Sequence, residues 1–201
     1  GRGSVKRTLQ TEPFFLFHHV NSFEQQKTLK VDLIAYPDAG IVDQLRLDPL
    51  REEVGIEFGR LRRYSVDLEN GSIEREWESR HSIELTRINY SRCNTRPYRF
   101  VWGVGADRDT SLFYDRILKL DVESDEALYW EEPGAFPGEP VFVASPDGSG
   151  EDDGVLLSVV LNGPEGRSFL LVLDASDLRE LGRAWVPGGV PHGFHGLFDR
   201  A

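Results

Sequence analysis

Three stretches decide the architecture: VDLENGSIEREW at 66–77, LDVESDEALYW at 120–130 and LDASDLRELGRAW at 173–185. Each reads as a strand ending in an aspartate, a turn, and a return strand that closes on a tryptophan. The aspartates stand at 67, 121 and 174, so they are 54 and 53 residues apart; Trp77, Trp130 and Trp185 are three of the chain's four tryptophans. Aspartate-turn hairpins are common singly, but turn, spacing and tryptophan recur here together. A period near ~50 residues with several strands per unit is the signature of a propeller blade. At that period 201 residues hold somewhat under four blades. A propeller is completed by radial closure, and small rings are uncommon. The expected fold is therefore all-β, a propeller of which this chain supplies part.

The rest of the sequence agrees. Phe14 to Val20, Thr28 to Tyr36, Arg99 to Val104 and Val155 to Leu161 are short runs rich in aromatic and branched residues. Asn70-Gly71, Pro146-Asp147-Gly148 and Asn162-Gly163-Pro164 supply turn chemistry between such runs. The first of these turns sits inside a hairpin, RRYSVDLENGSIEREW at 62–77. Only Asp38 to Glu53 has helix-like spacing, through Ile41, Val42, Leu45 and Leu50, and Pro49 interrupts it. A loop insertion with a helical turn or two is expected there.

Lys plus Arg number 23 against 34 Asp plus Glu, a formal charge of −11. That balance repels phosphate backbones and anionic lipid, so nucleic acid is not expected as a partner. The single cysteine, Cys93, allows no internal disulfide and no thiolate zinc cluster, and reads as a buried small apolar residue. No apolar run approaches the ~20 residues of a membrane-spanning helix. The basic start GRGSVKRTLQ lacks the apolar core of a signal peptide. A cytoplasmic setting, or a plastid- or cytosol-like one, is expected rather than secretion. The chain has no methionine, even at position 1, so a processed start or a part of a longer chain is expected.

Five histidines are present: His18, His19, His81, His192 and His195. Two lie in aromatic settings, PFFLFHHVN at 13–21 and VPHGFHGLF at 190–198. Neighbours on a strand point to opposite faces, so His18 and His19 cannot both face one site. Glu84 sits inside the apolar stretch SIELTRINY, and Glu139 is clamped between prolines in FPGEPVFV. A carboxylate in such a place needs a hydrogen-bond partner, and a histidine ring N–H is a common one, although spacing alone favours a strand-edge or surface glutamate. Glu151-Asp152-Asp153-Gly154 reads as a solvated turn before a buried strand. No HExxH, CxxC, GxSxG or phosphate-cradling glycine loop occurs.

Five blocks in order, FFLFHHVNSFE, IELTRINYSRCNTRPYRFVWGVG, WEEPGAFPGEPVFV, EDDGVLLSVVL and VPHGFHGLF, give the chain a close resemblance to the C-terminal part of the carotenoid cleavage oxygenases. The likeness runs from about Pro13 to Phe198 and covers about the second half of the family's usual length. It implies a seven-bladed β-propeller in the full-length parent, with residues 1–201 forming roughly the last four blades of one domain. It implies an Fe(2+) ion on the propeller axis held by four histidines, of which His18 and His195 match this chain's two. It implies that Glu84 and Glu139 bond the outer ring nitrogens of His18 and His195; His19 and His192 match no ligand.

The implied reaction is cleavage of a conjugated carbon–carbon double bond of a carotenoid, apocarotenoid or stilbene by O2, giving two carbonyl products. The implied partners are that apolar polyene or stilbene, O2, and a membrane surface touched peripherally when the substrate is extracted. Two ligands and one glutamate of the family pattern would precede Gly1, in the missing N-terminal half, so the isolated chain is expected to be inactive. A propeller acting only as a binding module is the alternative; a lactonase-like hydrolase would need a carboxylate-rich metal cluster that is hard to assemble from these residues.

Overall fold

A computed structural model describes residues 3–199. Each Asp–turn–Trp repeat forms the two outer strands of one antiparallel sheet. The first sheet is β1 (Phe15–Gln25), β2 (Thr28–Tyr36), β3 (Arg60–Asp67) and β4 (Ile73–Ser82), hydrogen-bonded in that order. Between β2 and β3 lie two short helices, α1 (Gly40–Gln44) and α2 (Leu47–Arg51). Pro49 is the third residue of α2, in the first turn, where a missing N–H costs nothing.

The second sheet is β5 (Glu84–Arg87), then after helix α3 (Tyr90–Cys93) the strands β6 (Phe100–Gly105), β7 (Arg116–Asp121) and β8 (Glu126–Glu131). The third has a divided inner strand, β9 (Ala135–Pro137) and β10 (Val141–Ala144), both paired with β11 (Gly154–Asn162), followed by β12 (Arg167–Asp174) and β13 (Glu180–Trp185). The sequence period thus resolves into three blades, and residues 186–199 run on past the third.

The repeat has a physical origin. In each blade the carbonyl of the strand-ending aspartate accepts the N–H four residues on, at 2.9 Å: Gly71 to Asp67, Asp125 to Asp121, Leu178 to Asp174. The same aspartate's Oδ1 accepts N–H groups inside the turn, from Glu69 and Asn70, from Glu123 and Ser124, and from Ser176. The residue four beyond the aspartate has positive φ every time: Gly71 at 80°, Asp125 at 56° and Leu178 at 60°. Only the first uses the glycine that this conformation favours. Shared geometry, rather than shared residues, defines the turn.

Blades pack face to face. On β7, Leu118 and Leu120 join Ile34, Leu61 and Val101 in the core between the first two blades, while Ile117 points the other way, into a core with Trp102, Leu156 and Phe169. The Trp102 indole N–H donates to the Ala175 carbonyl at 3.0 Å, tying the second blade to the third. In the acidic run 151–153, expected to be a solvated turn, Asp153 is exposed and accepts the N–H groups of Ser149 and Gly150 within that turn, while Glu151 and Asp152 bracket these two blades. The Glu151 carboxylate accepts the N–H groups of Arg99 and Phe100 at the entrance to β6, and Asp152 pairs with Lys119 at 2.5 Å. Strand starts otherwise leave such donors unpaired, which is costly where water is excluded.

One buried charge ties the first two blades together. Asp32, fully buried on β2, receives both prongs of the Arg63 guanidinium at 2.7 Å and the Tyr98 hydroxyl at 2.6 Å. Breaking such a group by removing one partner costs about 3–5 kcal/mol. Asp32→Ala should lower unfolding stability by about that amount in urea denaturation, and a loss under about 1 kcal/mol would show that Arg63 finds solvent instead.

Candidate metal centre

The inner edges of the three blades meet, and each is irregular where a polar side chain leaves it. In β1 the register slips between Leu16 and His19 and again between His19 and Asn21. In β5 it slips between Glu84 and Arg87, with Leu85 at φ 48°. In the third blade Gly138–Pro140 interrupt the inner strand between β9 and β10. Bulges re-aim side chains at such places. Gly103 on β6 is also required: a Cβ there would stand 2.6 Å from the Glu84 carbonyl oxygen and 2.6 Å from the Ile83 side chain.

His18 leaves the first irregularity and donates its Nδ1–H to Glu84 Oε2 at 2.5 Å. The same oxygen accepts the Leu85 N–H at 2.5 Å, and Glu84 Oε1 is buried without a hydrogen-bond partner among the described residues. The hydrogen bond to Glu84 raises the His18 pKa against the opposing effect of burial. Tyr36 and Tyr114, hydroxyls 3.0 Å apart, are close enough that the Glu84 charge adds to burial in pushing both phenols up.

His195 lies beyond β13, and its Nδ1–H meets Glu139 Oε1 at 3.0 Å. Glu139 Oε2 accepts the Gly196 N–H at 2.7 Å, and the Arg87 guanidinium grips both carboxylate oxygens at 2.9 Å. Burial would raise the Glu139 pKa, but the bonds from Arg87, His195 and Gly196 together hold it below the ordinary value.

With both Nδ1 atoms engaged, the two Nε2 atoms face each other at 3.2 Å, the rings nearly perpendicular at 87°. A metal–imidazole bond is about 2 Å long, so two nitrogens at that separation can share one ion. The donor set therefore fits a metal: two bare ring nitrogens converge, and buried carboxylates fix each tautomer. Among the described residues no group of three or more His, Cys, Asp or Glu converges in this way.

The structure brings His18 to Glu84 and His195 to Glu139, and brings the two pairs to one point. His19 points away and bonds Ser22 Oγ at 2.7 Å; His192 lies edge-on to Phe113; His81, on outer strand β4, accepts the Tyr129 hydroxyl at 2.6 Å. Cys93 is buried at the end of α3, where desolvation pushes its thiol up to about 11, away from thiolate chemistry. Arg87 was not among the residues singled out from the sequence. Regular alternation puts residues 84 and 87 on opposite faces, and nothing in TRINY announces the slip that brings both to one edge.

The sequence profile of the retinal pigment epithelial membrane protein family matches residues 1–200. The chain belongs to that family, the carotenoid cleavage oxygenases. Among its relatives, a mitochondrial carotenoid-cleaving dioxygenase of Mustela putorius furo is 35% identical over 94% of this chain and 42% of its own length. A carotenoid isomerooxygenase of Galleria mellonella is 34% identical over 98% of this chain and 41% of its own. The crystal structure of cobalt-substituted Synechocystis apocarotenoid oxygenase superposes with a TM-score of 0.83 at 29% identity, over 93% of this chain and 40% of that one. This family member thus spans about two fifths of the length of the curated relatives it matches.

In the metal-free chain, Glu84→Gln should lower the His18 pKa, because the carboxylate that favours the imidazolium is lost. The measurement is a histidine NMR titration, and a His18 titration that does not move would rule Glu84 out as its partner.

Proposed function

We propose that His18 and His195 are two protein ligands of a ferrous ion, and that the complete protein cleaves a conjugated double bond of a carotenoid, apocarotenoid or stilbene with O2. One observation carries this reading: two histidine Nε2 atoms 3.2 Å apart, each on a ring whose Nδ1–H is given to a buried glutamate. The family membership and the relatives' names support the reaction class. The cobalt-substituted relative supports a metal at the family's site.

The chain's residues have distinct tasks in this reading. His18 and His195 present neutral nitrogens, which suit ferrous iron and leave its positive charge undiminished. Glu84 and Glu139 hold the rings in the tautomer that keeps Nε2 bare. Leu157, Val159, Leu161, Leu170 and Phe194 line an apolar hollow of about 290 Å3 that reaches His195, a surface suited to a polyene and poor at holding water. The bound iron would supply O2 activation beside that surface. The other histidine ligands and the third glutamate would come from the portion of the relatives that this chain does not span.

The chain as it stands should bind Co(II) or Fe(II) weakly through its two histidines, and H18A and H195A should each abolish that binding in an anaerobic titration. It should not turn over an apocarotenal; stoichiometric iron with turnover would overturn the assignment of the remaining ligands elsewhere. In the complete protein either substitution should cost about 100-fold or more in cleavage rate, since losing even an outer partner of a ligand costs about 10–100-fold.

A further inference from the structure

We propose that Arg87 is the positioning residue for His195, acting through Glu139. Its guanidinium makes three bonds at one junction: Nε to Glu139 Oε1 at 2.9 Å, Nη2 to Glu139 Oε2 at 2.9 Å, and Nη2 to the Gly196 carbonyl at 2.7 Å. Counting the His195 Nδ1–H and the Gly196 N–H, Glu139 accepts four bonds, which fills its lone-pair sites. A fork-to-fork pair fixes the carboxylate plane as well as its place, and so fixes the direction in which Glu139 can hold the imidazole.

The carboxylate depends on this arginine. Glu139 is 8% exposed, and a buried carboxylate stripped of its cation is strongly unfavourable. Arg87 also holds the backbone on the far side of His195, through Gly196, in a segment whose other residues are mostly exposed. Among the described residues Glu84 has no such cation: its bonds come from His18 and the Leu85 N–H. The two ring mounts therefore differ, although one short strand, β5, carries both Glu84 and Arg87. Loss of Arg87 should disturb His195 and leave His18 in place.

The cobalt arm of the test rests on the proposed metal function, and the metal-free arm does not. In the apo chain with nitrogen-15-labelled histidine, long-range imidazole spectra should show the Nδ1–H tautomer at both His18 and His195. In R87Q the His195 signals should move toward a tautomer mixture while His18 keeps its own. Cobalt affinity should fall about 10–100-fold in R87Q, as for loss of an outer partner of a ligand. R87K, which keeps the charge without the fork, should lie between. His195 signals and cobalt affinity in R87Q equal to the unsubstituted chain would overturn the proposal, as would equal shifts at both rings. Should R87Q not fold, R87K decides by the same two readouts, and R87K identical to the unsubstituted chain overturns it. Absence of cobalt binding in the unsubstituted chain would sink the metal reading and leave the imidazole spectra to judge Arg87.

Discussion

A carboxylate taken out of water must be met by donors, or it takes up a proton instead of staying charged. Glu84 and Glu139, 4% and 8% exposed, are held under that constraint, and the middle of the molecule is arranged around them. Each accepts the ring N–H of a histidine carried by another segment and the backbone N–H of a neighbouring residue, Leu85 or Gly196. His18 and Leu85 reach Glu84 along inner blade edges, whereas His195 and Gly196 reach Glu139 on the tail beyond β13. The inner edges can present their site residues only by breaking regular pairing, which explains why the slips in β1 and β5 and the gap between β9 and β10 fall at site residues.

The two cores between blades supply the stiffness that such a site needs. Ile83 alone links β4 to β5, and it is fully buried with its N–H on the Gly59 carbonyl. This buried, hydrogen-bonded one-residue link holds the end of the first blade directly against the start of the second. Asp32, Arg63 and Tyr98 lock the same pair of blades at another point, and Lys119 with Asp152 does so for the second and third. Tertiary packing, rather than the local preference of any one strand, fixes where His18 meets Glu84.

How much of this was legible depended on whether a pattern was local. The blade period could be read because aspartate and tryptophan mark the outer strands of every blade, and the turn between those strands keeps one geometry. The divergence of His18 from His19 followed from strand alternation. Asp125 and Leu178 gave no sign that they share the positive φ of Gly71, since an aspartate or leucine does so only when the surrounding turn compels it. Glu84 and Glu139 stood out as acids in apolar or proline-bound settings, but spacing alone could not choose a partner for either; the family resemblance did. Arg87 was hidden altogether, because its position depends on a register slip that period-two reasoning cannot anticipate. Asp153 lies in a solvated turn as expected, but Glu151 and Asp152 misled for a related reason: whether a carboxylate is solvated depends on which donors another blade brings to it.

The tail that carries His195 has a different standing from the strands. Residues 186–199 form no strand or helix, and Phe194, Leu197 and Phe198 are largely exposed. Native proteins open locally at free energies well below that of global unfolding, lowest where buried contacts are few. The half of the centre made by His18 and Glu84 should therefore open only when the first two blades part. The half made by His195 opens whenever the tail lifts. In this chain, an ion held as proposed would be released by the opening of that one segment, so its residence and the stability of the blades could vary independently.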